Sequence, residues 1–311
     1  MKLFVGITDN QWFDFLSRQK DIDEVNFWRP SPDPSIPINP GDLFLFKLHS
    51  PRNYIAGGGV LAYTTTLPIS SAWDTFEEKN GASSFDVMKR QIMNYRGIKT
   101  DSREDFKIGC ILLAQPFFFD ESEVFAPPDW KPSIQRGKTY DLNDEAGKYI
   151  WRKVENILVR KKIFEMDKEY GLQTADPASA RYGKEILIKP RLGQSIFKAV
   201  VTDAYNRSCA ITNERALPVL EAAHIKPYAK SGPHAVNNGL LLRSDLHRLF
   251  DHGYMTITPK RDIEVSRRIK DEYENGKYYY TFHGHQINLP QRLDHQPSNE
   301  FLSWHNENVF K

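Results

Sequence analysis

His224, His247 and Asp251 have the side-chain types and the spacing for metal-assisted hydrolysis. A neutral imidazole can take a proton from water. An imidazole and a carboxylate four residues apart share one face of a helix and can hold a divalent cation between them. Such a cation neutralises the charge that develops as a phosphodiester is attacked and its leaving oxygen departs. Histidine is unevenly spread, with eight of nine at or beyond His224, so a metal site is expected in the C-terminal part.

The elements that must position these groups are legible around them. Residues 218–225 are almost continuously apolar and predict a short strand, or one arm of a hairpin, carrying His224 near its end. Residues 226–239 are rich in Pro, Gly, Asn and Lys and predict a loop containing Asn237 and Asn238. Leu240, Leu241 and Leu242 follow, and Ser244 is placed to cap a helix from Asp245. Leu246, Leu249 and Phe250 give that helix an apolar side, His247 and Asp251 stand on its other side, and Gly253 ends it in a left-handed conformation. On this pattern His224 is either the base or itself a ligand beside a different base.

The same segment resembles the HNH, or ββα-metal, nuclease motif, in the branch whose pattern runs C-A-x-T, A-H-I, N-G-L-x-L and L-H-x-L-F-D. These strings stand at 209–212, 223–225, 238–242 and 246–251. The resemblance implies that His224 is the general base and that Asn238 fixes the loop and orients that base. It implies that His247 is a metal ligand and that Asp251 occupies a second ligand position. Mg²⁺ is the expected ion, and imidazole ligation also admits Mn²⁺, Co²⁺, Ni²⁺ or Zn²⁺. One position departs from the pattern: many members carry a ligating Asp or His just before the base, where this chain has Ala223. Another protein oxygen, a water or a DNA phosphate must replace it. Glu221 is near in sequence, but a regular strand points it away from His224.

The first part of the chain reads as a strand-rich unit. Gly57, Gly58 and Gly59 interrupt a β pattern and predict a bulge or a close backbone approach, without the spacing of a nucleotide fingerprint. On residues 4–8, 41–46 and 55–59 this part resembles the PUA superfamily in its EVE-like and SRA-like members. That resemblance implies a twisted β-barrel with flanking helices and a pocket for a flipped, modified base. A flipped base must recover its lost stacking from aromatic walls and hydrogen bonds. Trp28, Phe46 and Trp73 are the expected walls and Asp42 a polar reader, with Trp12, Tyr54, Asn53 and His49 as further candidates. Trp28 is singled out because it reads as part of a Pro-rich loop with no periodic reason for burial.

A helix follows from about residue 144, and residues 181–208 then carry six basic and two acidic side chains. Lys189 and Arg191 stand at a helix entrance, where free backbone amides favour a phosphate, and are the expected phosphate contacts. Farther on, 262–269 and 277–284 predict further strands, with His283 and His285 on an exposed strand face.

Composition sets the outer bounds. The net charge of +2, from 42 Lys and Arg against 40 Asp and Glu, argues nothing about nucleic acid by itself. Two cysteines exclude a four-thiolate zinc site. The sequence predicts no membrane span and no secretory signal, so the cytoplasm is the expected compartment.

The expectation is thus an α+β protein: a PUA-like β-barrel reader at 1–140, a helical linker at 141–180 and an HNH nuclease domain at 181–311. The resemblance makes it a modification-dependent DNA endonuclease acting on double-stranded DNA with modified cytosine. Two strands needing two cuts favour a homodimer. The competing reading is a non-catalytic reader of modified DNA or RNA with a decayed HNH unit, to which Ala223 points.

Overall fold

Runs of Leu, Ile, Val and Phe in the first half of the chain pair into one sheet, as their strand propensity dictates. The computed structural model describes residues 2–97, 105–170 and 192–311. The chain divides into two units, Met1–Arg191 and Leu192–Lys311.

In the first unit, β1 (Lys2–Thr8), β2 (Glu24–Arg29), β3 (Leu43–Leu48), β4 (Ile55–Pro68), β5 (Lys107–Phe118) and β6 (Gly137–Asp141) form a six-stranded sheet ordered β2-β5-β4-β3-β1-β6. β1 and β3 pair in parallel and the other pairs are antiparallel. Helices α1 (Asn10–Leu16), α2 (Ile69–Phe76), α3 (Phe85–Arg96) and α4 (Glu145–Tyr170) complete this unit. Asp9 caps α1 by accepting a hydrogen bond from the Trp12 amide at 2.8 Å.

The sheet does not close into the expected β-barrel. β2 and β6 stay at opposite edges and do not pair, which leaves a mixed, open sheet. The alternation of β3 gives the physical reason. Leu43 and Leu45 face a core completed by Ile150, Val154 and Ile157 of α4. Phe44 and Phe46 face the other way, and Phe46 meets Trp12 of α1 with ring centroids 5.2 Å apart. A sheet covered by helices on both faces buries its apolar residues without curling onto itself. The three glycines of β4 lie where the register shifts between Gly58 and Val60. A Cβ on Gly58 would stand 2.6 Å from the Phe44 carbonyl oxygen, so the close approach requires glycine.

Trp28 does not lie in a loop. β2 pairs with β5 in a register that sets Trp28 against Cys110. The Pro-rich composition that reads as a loop begins at Pro30, one residue past the strand.

The second unit holds α5 (Gln194–Ala204), β7 (Leu220–His224), β8 (Gly239–Arg243), α6 (Ser244–Asp251), β9 (Met255–Ile257), β10 (Ile263–Val265), α7 (Arg268–Tyr273), α8 (Lys277–Tyr280) and α9 (Asn299–Asn308). β7 and β8 form an antiparallel hairpin, with α6 following directly. Phe197 and Val201 of α5, Leu246 and Phe250 of α6 and Leu302 of α9 share one core with Leu240, Leu241 and Leu242. The C-A-x-T turn extends the hairpin, because the Ala210 amide donates to the Leu241 carbonyl at 2.7 Å.

Ser244 is the first helical residue rather than a side-chain cap; Arg243 takes the cap position and pairs with Asp245 at 2.6 Å. Residues 277–280 are helical, not a strand. Three consecutive tyrosines carry no period-two alternation, and Tyr279 and Tyr280 instead find polar partners in Asp245 and the Ser266 carbonyl. His283 therefore sits in a turn, where its Nδ1 accepts from the Val265 amide at 3.1 Å.

Candidate active site

The β7–β8–α6 segment brings three of the expected site residues to one cleft of about 320 Å³, lined by His224, His247 and Asp251 with Ala222, Tyr228 and His305. Strand alternation produces this. Ala222 and His224 face the cleft, while Ala223 turns into the core and is fully buried. An alanine there fills the core and leaves no metal-ligating side chain just before His224.

His224 lies flat on Phe197, with ring centroids 3.9 Å apart and planes within 11°. This stack depends on Gly239, the residue paired with His224 across the hairpin. A Cβ on Gly239 would stand 2.5 Å from Val201 Cγ2 and 3.0 Å from the Phe197 ring. Gly239→Ala is therefore expected to destabilise the unit by about 1–3 kcal/mol, the usual range for overpacking, and to displace the ring beneath His224; urea unfolding measures it.

Burial, with smaller electrostatic contributions from the neighbouring His234 and His247, pushes the His224 pKa down to about 4. The ring is consequently neutral near pH 7, the form a base requires.

His247 is bracketed by carboxylates. Its Nδ1 is 2.6 Å from Glu221 Oε2, and its Nε2 is 3.2 Å from Asp251 Oδ2. A ring that gives its Nδ1 proton to a carboxylate turns its Nε2 lone pair outward, which is how second-shell carboxylates prepare a histidine ligand. Two ligand atoms about 2.1 Å from one ion stand about 3.0 Å apart along an octahedral edge and about 3.4 Å apart along a tetrahedral one. The observed separation falls between these values, so the pair fits a divalent ion. Among the described residues no cluster of three or more His, Cys, Asp or Glu side chains can hold a metal. For an ion held by this pair, water and phosphate oxygens would have to supply the remaining positions, as hard cations at phosphates allow.

Asn238 is fully buried behind the cleft. Its Oδ1 accepts from the Lys226 amide at 2.9 Å, and its Nδ2 donates to the carbonyls of Lys226 and Pro233 at 3.0 and 2.9 Å. Both ends of the loop after His224 are thereby tied to one side chain.

Two contacts escape sequence reasoning. Glu221 reaches His247 from the strand edge, outside the residues that line the cleft. His234, a lone histidine in the loop, stands with Nδ1 2.9 Å from His224 Nε2. The only signal for His234 is its place between His224 and Asn238.

His305, 2% exposed, also borders the cleft but is structural. Its Nε2 donates to the Phe250 carbonyl at 3.1 Å, and its Nδ1 is 2.8 Å from the Thr256 hydroxyl. Burial pushes its pKa down to about 4. As pH falls from 6.5 towards 4, the unfolded chain takes up a proton at His305 that the folded unit refuses. Stability is then lost by roughly 1.4 kcal/mol per pH unit from this group, with a smaller loss from His224. Above the ordinary histidine pKa neither ring contributes. Denaturant unfolding at pH 7 and pH 5 checks the slope.

In the first unit, a second cleft of about 320 Å³ is lined by Trp12, Phe27, Trp28, Tyr95, Asp9 and His49, with Arg29 and Arg136 also at its surface. Tyr95 donates to Asp9 Oδ2 at 2.6 Å, and burial followed by the Asp9 contact raises its pKa. Of the expected base-pocket residues, Trp28 lines this cleft and Phe46, Asp42 and Trp73 do not. Phe46 is fully buried among aromatic rings. Asp42 accepts from the Asn39 amide at 3.0 Å, and Trp73 packs edge-on to Phe85. Lys189 and Arg191 lie outside the described residues. No described helix is long and apolar enough to cross a membrane.

A two-stranded hairpin and a helix that converge on a His/His/Asp cleft define a ββα nuclease-like unit. Residues 209–258 match the family described as HNH endonuclease, so the second unit carries an HNH endonuclease domain. No curated protein matches the chain. Among solved structures, a ZmASCH mutant protein from Zymomonas mobilis is 13% identical and covers 48% of this chain and 94% of its own, at a TM-score of 0.32. The modification dependent TagI restriction endonuclease is also 13% identical and covers 86% of this chain and 61% of its own, at a TM-score of 0.29. At these TM-scores neither structure bears on the fold or the site.

Proposed function

We propose that this chain is a metal-dependent DNA endonuclease directed to modified DNA by its first unit. The observation that carries the reading is the single cleft shared by His224, His247 and Asp251 inside the HNH-matching segment. His224 takes a proton from the attacking water, and its low pKa keeps its lone pair available at neutral pH. His247 and Asp251 hold a divalent ion, Mg²⁺ first and Mn²⁺, Co²⁺, Ni²⁺ or Zn²⁺ as chemical alternatives. When bound, the ion supplies charge neutralisation at the phosphate and leaving oxygen. Glu221 fixes the His247 ring, and Asn238 ties the loop that follows the base. Lys189 and Arg191 remain proposed phosphate contacts.

Base selection is assigned to the first unit, because an HNH hairpin and helix chiefly address the DNA backbone, which carries no direct sequence information. The cleft of Trp12, Phe27, Trp28 and Tyr95 supports this assignment: it offers aromatic walls with the Asp9 carboxylate and Tyr95 hydroxyl as polar edge. Methylated or hydroxymethylated cytosine is the proposed class of base, double-stranded DNA the partner, and a homodimer the assembly that cuts both strands.

Plasmid cleavage with Mg²⁺ or Mn²⁺, on DNA with plain, methylated or hydroxymethylated cytosine, tests the proposal. Cutting is expected only with a divalent ion and a modified substrate. Tight binding of modified DNA without cutting under any ion would favour the competing reading, a non-catalytic reader of modified DNA or RNA. The buried alanine before the base is the observation on its side.

A further inference from the structure

His224 and His234 are each held by their ring faces and meet at their edges. His224 lies on Phe197, and His234 stacks on the 64% exposed Tyr228 with centroids 4.5 Å apart and planes within 13°. Their nearest nitrogens, His224 Nε2 and His234 Nδ1, are 2.9 Å apart. Asn238 closes the frame by binding the carbonyl of Pro233, just before His234, and that of Lys226, two residues after His224.

A single proton lies between those two nitrogens. If it belongs to His224, the Nδ1 of that ring keeps its lone pair and can accept a proton while the contact stays whole. If it belongs to His234, a neutral His224 carries its own proton on Nδ1 and has no lone pair left for water. The two arrangements differ in the tautomer of both rings, and one of them disables the base.

We propose that His234 is a positioning residue that accepts the Nε2 proton of His224 and so holds the base in the tautomer whose Nδ1 is free. The inference rests on the reading of His224 as the base. In the reaction, His224 Nδ1 gains the proton of the attacking water while the oxygen's electron pair forms the bond to phosphorus; the bond to the leaving oxygen breaks with its electron pair passing to that oxygen, which takes a proton from solvent water. Nε2–H continues to donate to His234 throughout, so the imidazolium that forms is oriented and partly stabilised by the same contact.

The shape-matched pair His234→Asn and His234→Leu tests it. Asparagine can put an acceptor oxygen where histidine has Nδ1, whereas leucine has similar bulk and no polar atom. Ring-nitrogen NMR on histidine-labelled protein reads the tautomer directly, and single-turnover cleavage with Mn²⁺ reads the consequence. The wild type and His234→Asn are expected to show His224 protonated on Nε2. His234→Leu is expected to lose that preference and to cut about 10–100-fold more slowly, the usual cost of losing an orienting partner, with unchanged Mn²⁺-induced thermal stabilisation. A wild-type His224 protonated on Nδ1, or a His234→Leu protein with wild-type tautomer and rate, would overturn the proposal. A protein with the expected tautomer in all these forms that cuts no DNA supports the contact and sinks the nuclease reading instead.

Discussion

Replacing His224 by alanine is expected to slow single-turnover DNA cleavage by about 10²–10⁴-fold, the span that a positioned general base contributes. DNA affinity and metal-induced stabilisation should stay as they are, because the ring touches Phe197 and His234 and neither the His247–Asp251 pair nor Glu221 leans on it. The wild-type pH profile carries a matching signature. A base with a pKa near 4 is unprotonated throughout the range from pH 8 to pH 6, so the acid limb from this group should lie below the ordinary histidine value. Quenched-flow or gel assays with enzyme in excess measure both effects. An alanine variant that cuts at the wild-type rate would move the base elsewhere.

The second large effect is expected at His247. Its removal takes away one of the two proposed protein ligands and strands the Glu221 carboxylate that now pairs with its Nδ1. His247→Ala should lose Mn²⁺-dependent thermal stabilisation and, with it, cleavage at any practical ion concentration. Glu221→Gln is milder: the ligand remains but its orienting carboxylate is gone, which typically weakens metal affinity about 10–100-fold. A thermal-shift titration of wild type, His247→Ala and Glu221→Gln separates the two roles. Equal stabilisation of all three by Mn²⁺ would place the ion away from this cleft.

The site is more legible in the sequence than the fold is. The strand ending at His224, the loop with Asn238 and the helix with His247 and Asp251 are each local patterns, readable within a few residues of one another. Glu221 is harder. Strand alternation rightly turns it from the His224 face, but its bond to His247 depends on how the strand edge meets the helix, a tertiary angle with no sequence signature. His234 is a similar case, since its pairing with His224 requires the loop to fold back under the hold of Asn238.

In the first unit, all six residues of the strand Leu43–Leu48 are buried, Lys47 included, so the strand has no exposed face to tell one side from the other. Phe46 therefore reads equally as a pocket wall or as core, and the packing of α1 decides for core. Closure of a sheet is decided by whether its edge strands meet, and no local pattern encodes that; helix cover on both faces settles it in favour of an open sheet. Trp28 shows the opposite error, in which a Pro-rich neighbour hides a strand.

The most direct test of a single metal-holding cleft facing His224 is the titration of histidine-labelled protein with Mn²⁺, followed through the ring resonances. Paramagnetic broadening should strike His247 first and His224 next, and should leave His283, in its separate turn, sharp. Broadening centred on other histidines, with His247 and His224 untouched at saturating Mn²⁺, would contradict the account.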